Sequence, residues 1–479
     1  MQERARDKNG TLISKICEVS WTADNLVRAL LSLSPHRRLS LLDSCGAHNP
    51  SARFLIAGFD PFEIIEARGQ QICTLRRGET SERVTKGEVL DVLDERLEQY
   101  RAQPLPSENL PATGACIATF SYDLVRHLDH LRLTSPFFVS DEPDVVLAFY
   151  DTLIIHDYLS GTTRIVCVGD PQRIAETTEA LAEALVYAIE NCNEFQPSTL
   201  SVTSNLTRDE YLTVVDKFKE HIAAGDIYQA NLTQQFSCRL SMKSRSEDVF
   251  LSLRRNHPAP FAAYIRRGDD VVISASPERF LSVNARGDER YVDAWPIKGT
   301  RSRGHNKEDD ARQRADLLMS EKDRAENIMI VDLLRNDLGR VCRYGSVEVT
   351  ELCALEEHPT LFHLVSKVRG VLRVGVTAGD LLRAAFPCGS ITGAPKIRAM
   401  EIIAENEIDP RGLSMGAVGY FSFDGSLDLN VAIRTMVIRD RVARFNVGGG
   451  IVADSSPSLE YEESLIKALA LFNALGVET

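Results

Sequence analysis

The sequence predicts a soluble globular protein of mixed α and β structure, arranged as two domains or as one large intertwined body. A chain of 479 residues is too long for a single ordinary hydrophobic core. The composition, 44% hydrophobic and 26% charged, is that of a folded soluble protein. Short apolar runs bounded by glycine or proline predict strands, and segments with capping residues and apolar periodicity predict helices.

The N-terminal half contains several predicted strands and one long helix. Phe54–Ala57 and residues 145–150 and 163–168 are short apolar runs of the kind found in strands. A helix is expected to begin at Asp170-Pro171, because proline is favoured at the first helical position.

A boundary is predicted between residues 193 and 206, where the chain lacks periodicity. We expect an N-terminal region over residues 1–195 and a second region over residues 205–479. The second region is denser in glycine-bounded motifs, so the chemistry is expected there.

The second region opens with a capping box at Thr207 to Glu210, which predicts a helix. The alternating run Tyr291–Trp295 predicts a strand that ends at Pro296, since proline cannot donate a ladder hydrogen bond. A further apolar run over residues 430–437 predicts another strand, interrupted by a single arginine.

The charge and cysteine patterns exclude several classes of protein. The net charge of −13 argues against a nucleic-acid partner. The ten cysteines form no C-x-x-C pair, which argues against zinc and dithiol sites and favours reduced thiols in a cytoplasmic protein. Neither a signal peptide nor an apolar run of the ~20 residues needed to span a membrane is seen, so no membrane partner is expected.

Lys298 lies in Pro296-Ile297-Lys298-Gly299-Thr300, directly after the predicted strand. A lysine held there by rigid backbone could act as a nucleophile if its ammonium group loses a proton. Taken alone, the motif fits a solvated surface lysine better, because lysines are rarely buried.

Two predicted helices carry carboxylates on an apolar face. Glu326 lies in a helix expected to start at the N-cap Ser320, and Glu463 lies in the last helix with Glu460 and Lys467. Two such carboxylates suit Mg²⁺, which takes one or two carboxylates plus water and substrate oxygens. An ion pair to a core arginine is the alternative for Glu326. For Glu460 and Glu462 a surface Glu-to-Lys pair is the favoured interpretation.

Glycine-rich breaks could bind anions. The run Gly389–Lys396 precedes a helix start, and Gly448–Gly450 follows a strand, so both could bring backbone amides to a carboxylate. Arg434, in an apolar strand-like run, suits a bidentate carboxylate partner. Each motif alone is weak, but together they describe a pocket for a small polyanion.

Two further residues are candidates for proton transfer. Glu278 precedes Lys298 by twenty residues and could lie beside it on an adjacent strand, as a general acid and then base or simply as a salt-bridge partner. His363 is flanked by apolar residues and on sequence alone is more readily explained as a core histidine.

These residues together resemble one family, the chorismate-utilising enzymes, over about residues 205 to 475. The N-terminal segments 41–44 and 121–124 are a weaker match to the same family. The resemblance implies an α+β fold, with large, mostly antiparallel β-sheets forming a sandwich flanked by helices. The matching motifs are Asp226–Leu232, Ser276–Phe280, Pro296–Thr300, Arg324–Asn327, Leu334–Asp337, Gly389–Lys396, Ala432–Thr435, Gly448–Gly450 and Glu460–Glu463.

The resemblance also implies roles for individual residues. Glu326 and Glu463 are expected to hold Mg²⁺, which binds the ring carboxylate of chorismate. Glu278 is expected to protonate the leaving hydroxyl, and His363 to lie beside it. The expected substrate-binding set is Arg434, Gly448, Gly449, Thr392 and Lys467, and Ser44 is expected at a possible effector site for tryptophan.

Lys298 separates members of the family. Anthranilate synthases resemble Pro-Ile-Ala-Gly-Thr at this position, whereas aminodeoxychorismate synthases carry the lysine as a covalent nucleophile. We expect Gln234 to occupy the position at which family members that use water as the nucleophile carry a lysine base. The resemblance therefore implies amination of chorismate with ammonia to 4-amino-4-deoxychorismate, a precursor of p-aminobenzoate and folate.

The chain contains no Gly-x-Cys-x-Gly nucleophile elbow with a downstream His and Glu, so a separate glutaminase subunit is expected to supply ammonia. Two alternatives stay open: an anthranilate synthase large subunit, and a non-catalytic module that binds chorismate or tryptophan.

Overall fold

The computed structural model describes residues 12, 14–46, 53–103, 110–128, 140, 142–191, 197–286, 288–357 and 361–477. The extreme N-terminus and part of the predicted boundary, residues 192–196, lie outside these ranges.

Strands dominate the part of the chain that is described. In chain order they are β1 (Ser14–Val19), β2 (Ser40–Asp43), β3 (Phe54–Gly58), β4 (Glu63–Arg68), β5 (Gln71–Arg76), β6 (Arg83–Lys86), β7 (Ala115–Phe120), β8 (Val145–Tyr150), β9 (Thr152–Asp157), β10 (Thr162–Val168), β11 (Thr199–Ser204), β12 (Gln229–Leu240), β13 (Phe261–Arg266), β14 (Asp270–Ser276), β15 (Arg279–Arg286), β16 (Glu289–Trp295), β17 (Ile297–Ser302), β18 (Glu348–Glu357), β19 (Leu361–Val371), β20 (Gly393–Ala394), β21 (Ala417–Ser422), β22 (Leu427–Val431), β23 (Thr435–Arg439) and β24 (Val442–Ile451).

Helices cover the outer faces of these strands. They are α1 (Ala23–Ser32), α2 (Val89–Gln99), α3 (Gln172–Glu190), α4 (Arg208–Ala223), α5 (Ser246–Asn256), α6 (Lys307–Met319), α7 (Glu321–Gly339), α8 (Ala378–Ala385), α9 (Lys396–Asn406) and α10 (Pro457–Leu475), with 3-10 turns at Pro35–Arg37, Tyr122–His127 and Gly389–Ile391. No helix within the described ranges is both long and apolar enough to cross a membrane.

The strands form two large antiparallel sheets. The first runs β1-β10-β9-β3-β2-β13-β14-β23-β24-β12-β11, with β20 beside β12. The second runs β17-β19-β16-β15-β22-β21-β7-β8-β4-β5-β6, with β18 beside β19. Because each sheet takes strands from both halves of the chain, the two regions expected from the sequence are intertwined at the level of the sheets. The division at residues 195–205 stays a prediction.

The core lies in layers between and outside the sheets. Residues of both sheets, such as Ile56, Ile117 and Val437, share one buried cluster, so the sheets pack face to face. A second cluster joins the outer face of the first sheet to α1, α3, α5 and α10, and a third joins the second sheet to α2, α7 and α8. The predicted α+β sandwich flanked by helices is thus confirmed.

Several local predictions are also confirmed. The Thr207 hydroxyl and the Glu210 carboxylate form both halves of the capping box that starts α4. The 291–295 run lies in β16, and the chain passes into β17 at Pro296. The prediction of one continuous strand over residues 430–437 is wrong, because β22 ends at Val431 and β23 begins at Thr435.

Candidate active site

Glu278 lies in the short link between β14 and β15 and is 3% exposed. Arg279 pairs with Trp295 in the β15–β16 ladder, which brings Glu278 to the point where the chain passes into β17. The Ser390 hydroxyl and the Ile297 amide hydrogen-bond to its carboxylate, while its Oε1 atom has no hydrogen-bond partner among the described residues. Burial raises the pKa of Glu278 to about 7, although the Ser390 hydroxyl, the Lys298 charge and the Ile297 amide all oppose the rise.

Lys298 reaches the same place from β17. Its Nζ donates a hydrogen bond to the Ser390 carbonyl at 3.1 Å, and its charge acts on both Glu278 and Glu326. Ser390 therefore touches both groups, since its hydroxyl contacts Glu278 and its carbonyl contacts Lys298. Sequence reasoning missed Ser390, although it lies in the glycine-rich run that the sequence singled out.

Gly299 lets β17 approach α7 closely. Its φ is +89°, and a Cβ atom there would lie 2.9 Å from Cβ of Asp323 and 3.0 Å from Cδ1 of Leu317. A larger residue would push β17, and Lys298 with it, away from the helix that carries Glu326.

The predicted metal ligands lie on α7 and α10, and the two helices meet through an ion pair. Lys322 Nζ of α7 lies 3.5 Å from Glu460 Oε1 of α10. On α7, burial raises the pKa of Glu326, against the effect of Lys298 and Lys322. Burial would also raise the pKa of Glu463, but Lys467, Lys322 and Lys298 outweigh it and the pKa is lowered. The Glu463 carboxylate is close enough to Glu326 that its negative charge also raises the pKa of Glu326.

The interpretation of Glu460 as part of a surface pair is wrong. Glu460 is 3% exposed, and the Ser455 hydroxyl donates to its Oε1 at 2.6 Å. The partner of Lys467 is Glu463, at 2.8 Å, and Lys467 also donates to the Gly448 carbonyl at 3.0 Å. The helical spacing identified the residues, but only the packing of α10 against α7 decides which carboxylate is buried.

The predicted carboxylate ligands suit a Mg²⁺ ion that takes most of its ligands from water and substrate, rather than a metal ion bound by protein side chains alone. Across the described ranges, no group of three or more His, Cys, Asp and Glu side chains is placed to hold a metal ion by itself. Mg²⁺ needs only one or two carboxylates, with water and ligand oxygens completing its octahedron. Glu326 suits this, since its carboxylate makes no hydrogen bond or ion pair with another described residue and lies near Glu463.

The triple glycine lies within β24, where Gly448, Gly449 and Gly450 pair with residues 233, 232 and 231 of β12. A Cβ atom at Gly449 would lie 3.2 Å from Glu460 Oε2, 3.5 Å from Lys467 Nζ and 3.8 Å from Glu463 Oε1. The strand therefore forms one wall of the carboxylate cluster, and glycine leaves the space beside it free.

Arg434 lies between β22 and β23 rather than inside a strand, with a φ of +48°. Burial lowers the pKa of its guanidinium, and no carboxylate in the described part of the chain forms an ion pair with it. Its charge also lowers the pKa of His257, after the larger effect of burial. A half-buried guanidinium without a carboxylate partner suits an anionic ligand.

His363 and Thr392 are both buried. His363 faces Thr300 across the β17–β19 ladder, with Nδ1 and the Thr300 Oγ1 atom 2.9 Å apart. The Thr392 hydroxyl donates to the carbonyls of Cys388 and Gly389, at 3.1 and 3.2 Å. Its donor capacity is thus used within its own loop, and its role in substrate binding stays a prediction.

Gln234 packs against α10, and its correspondence to the lysine base of water-using family members stays a prediction. It is fully buried, its Oε1 accepts from Ser204 at 3.0 Å and its Nε2 donates to Ser464 at 2.7 Å. Gln229 on the same strand has a buried Oε1 without a partner among the described residues, and its Nε2 lies 2.1 Å from where a Gly450 Cβ would be. Gln229 is therefore the glutamine of β12 that lies beside the triple glycine.

Ser44 lines a separate cavity, enclosed by both sheets. Its side chain is 4% exposed and its hydroxyl has no partner among the residues described. Other residues of the cavity wall include Phe54, Phe261, Tyr420 and Asn430. The mixed apolar and polar lining suits a small amphipathic ligand, and the effector role of Ser44 stays a prediction.

Comparisons with known proteins agree with the fold and the motifs. Residues 42–473 match the model of the chorismate binding enzyme family. The chain is 37% identical to aminodeoxychorismate synthase component 1 of Klebsiella aerogenes, covering 95% of this chain and 97% of the relative. It is 39% identical to anthranilate synthase component 1 of Aquifex aeolicus, covering 78% and 77%. Anthranilate synthase component I from Streptococcus pneumoniae superposes with a TM-score of 0.73, at 31% identity and 88% and 92% coverage. The chain therefore belongs to the chorismate binding enzyme family.

Proposed function

We propose that this protein is the component of aminodeoxychorismate synthase that aminates chorismate with ammonia to 4-amino-4-deoxychorismate. Relatives named for this activity and for anthranilate synthesis are similarly identical to the chain, so overall similarity does not separate the two. The observation that carries the proposal is Lys298, beside the buried Glu278 and bonded to Ser390.

The pair of Lys298 and Glu278 supplies the two groups that the reaction needs. Burial favours the protonated form of Glu278, whose pKa is raised to about 7, so this carboxyl can serve as a general acid near neutral pH. The Lys298 amine, which must attack in its neutral form, is the proposed nucleophile.

In the proposed reaction the Lys298 nitrogen forms a bond to the chorismate ring while the C4–oxygen bond breaks. Glu278 gives its proton to the departing hydroxyl, which leaves as water. Ammonia then forms a bond at C4, the bond to Lys298 breaks, and Glu278 takes up the surplus proton. The net change is the replacement of hydroxyl by amine with loss of water. We place His363 beside the departing hydroxyl.

The substrate carboxylates are proposed to bind at opposite sides of this pair. Arg434 is the proposed partner of the enolpyruvyl carboxylate, because its half-buried guanidinium has no carboxylate partner among the described residues. Glu326 and Glu463 would hold Mg²⁺, whose positive charge would bind the ring carboxylate. Lys467 and the backbone of Gly448 and Gly449 complete the wall on that side.

The ammonia is proposed to come from a separate glutaminase subunit, with free ammonium as the substitute in its absence. This proposal rests on the lack of a glutaminase nucleophile motif in the sequence.

The test is product analysis with chorismate, Mg²⁺ and ammonium salt. We expect 4-amino-4-deoxychorismate from the unmodified protein and none from Lys298→Ala, which should still bind chorismate. Without ammonia, mass analysis should find an adduct on Lys298. Lys367→Ala is the matched control, since Lys367 pairs with Glu351 at 3.0 Å on the neighbouring strand.

Two results would contradict the proposal. Anthranilate and pyruvate as the main products, with amination retained in Lys298→Ala, would identify an anthranilate synthase. Binding of chorismate without any turnover would identify a non-catalytic module.

A further inference from the structure

Lys396, whose side chain is 10% exposed, closes the base of the loop that carries Ser390. α8 ends at Ala385 and α9 begins at Lys396, and the Lys396 side chain reaches back to the start of the loop between them. Its Nζ donates to the carbonyls of Ala385, at 2.8 Å, and Pro387, at 3.0 Å. The same atom lies 2.5 Å from Asp337 Oδ2 of α7. All three donors of the ammonium group are thus used.

The contacts meet a physical need at the end of α8. The last carbonyls of a helix lack partners within the helix, and cations there are favourable. Arg340 places a second cation at the end of α8. Its guanidinium donates a hydrogen bond to the Ala384 carbonyl and lies 3.4 Å from Asp337 Oδ1. Asp337, with its side chain 4% exposed, therefore holds both cations against the end of the helix.

The loop closed in this way connects to both proposed reacting groups through Ser390. The Ser390 carbonyl accepts the hydrogen bond of Lys298, and its hydroxyl bonds to Glu278. Farther along the loop, the Thr392 carbonyl accepts from the Asn231 amide at 2.7 Å. The position of Ser390 therefore depends on how the two ends of the loop are held.

We propose that Lys396, held by Asp337, is a positioning residue that fixes Ser390 between Lys298 and Glu278. This inference rests on the proposed function for its effect on catalysis. Within the described residues, no hydrogen bond or ion pair joins Lys396 directly to Lys298 or Glu278, so its effect must pass through the loop. Its loss should slow the chemical step and leave the affinity for chorismate almost unchanged.

The test compares Lys396→Met and Asp337→Asn with Arg383→Met. Arg383 is the matched control, because it lies on α8, forms an ion pair with Asp91 of α2 and, among the described residues, makes no hydrogen bond or ion pair with the side chains of residues 386–395. Asp337→Asn is the milder change, since the amide oxygen can still accept a hydrogen bond from Lys396. Circular dichroism establishes that each variant is folded.

Three measurements decide the outcome. We expect kcat for amination to fall tenfold or more in Lys396→Met while KM for chorismate stays within twofold. The upper limb of the pH profile should move to higher pH, because the Ser390 hydroxyl lowers the pKa of Glu278 and that effect is lost. Hydrogen–deuterium exchange of residues 386–395 should accelerate in both loop variants and not in Arg383→Met.

Faster exchange with an unchanged kcat and pH profile would overturn the positioning role and leave Lys396 with a purely structural one. A rise in KM at constant kcat would overturn it as well. If the unmodified protein does not aminate chorismate, the proposed function fails. Unchanged exchange in the loop variants overturns the inference about Lys396 in either case.

Discussion

Replacing Glu278 with glutamine should remove activity and at the same time stabilise the fold at alkaline pH. The glutamine cannot donate a proton to the departing hydroxyl. General acid catalysis is typically worth about 10²- to 10⁴-fold, so kcat for amination should fall by about that factor. The glutamine is close in shape to the carboxyl and can still accept the hydrogen bond from Ser390.

The expected gain in stability follows from the raised pKa of Glu278. Its pKa is about 7 in the folded protein, against an ordinary value of 4.5. Between these two values the unfolded chain releases the proton while the folded protein retains it, so the free energy of unfolding falls as the pH rises. Each pKa unit corresponds to about 1.4 kcal/mol, which gives a loss of about 3 kcal/mol that is complete above pH 7.

Denaturant unfolding at a series of pH values measures this difference. Glu278→Gln and the unmodified protein should be equally stable below about pH 4, where the carboxyl is protonated in both states. Above pH 7 the variant should be more stable by about 3 kcal/mol. Glu190→Gln, an exposed change on α3, is the control and should show no such divergence. The quantity to follow is the free energy of unfolding of Glu278→Gln minus that of the unmodified protein. If this difference were smaller at pH 8 than at pH 4, the reasoning would be refuted.

Three further changes probe the rest of the site. Glu326→Gln or Glu463→Gln should abolish Mg²⁺-dependent binding of chorismate in calorimetry, whereas Glu462→Gln, at the neighbouring position of α10, should not. Unchanged affinity in the first two variants would contradict the metal assignment. Gly449→Ala should weaken the same binding about tenfold, because its Cβ atom would crowd Glu460 and Lys467, while Gly339→Ala, in open space, should have no effect. Tryptophan should raise the Tm of the unmodified protein by a few degrees and that of Ser44→Val by less; equal shifts would exclude the Ser44 cavity as its site.

Local sequence signals predicted local structure well. The capping box of α4 and the end of β16 at Pro296 depend on residues a few positions apart, and both are found. Ser320 caps α7 as expected, accepting a hydrogen bond from the Asp323 amide. Such features need no knowledge of what packs against them, so pattern alone is sufficient.

Features that depend on distant parts of the chain were the ones that sequence reasoning missed. The burial of Glu460 requires α7, more than a hundred residues earlier in the chain, to supply Lys322. Gln234 and Gln229 lie an odd number of positions apart on β12, so their side chains point to opposite faces of the sheet. Gln234 consequently bonds to Ser464 of α10, while Gln229 lies against Gly450. Arg434 interrupts the apolar run through a left-handed backbone that the residue type does not favour.

The charges around the carboxylate cluster explain why these distant elements must meet. Glu460 is buried, Glu326 is partly buried and Glu463 is half exposed, and like charges held this close together repel unless cations lie nearby. Lys467 neighbours Glu463 and Lys322 neighbours Glu460, and the charge of Lys298 acts on Glu326. The cluster is therefore close to electrically neutral before any ligand binds. A dianion alone would make it negative and Mg²⁺ alone would make it positive, whereas the two together restore the balance. For the proposed function, this composition would favour joint binding of Mg²⁺ and a substrate with two carboxylates. The remaining positive charge, at Arg434, would then be left for the carboxylate that the metal does not hold.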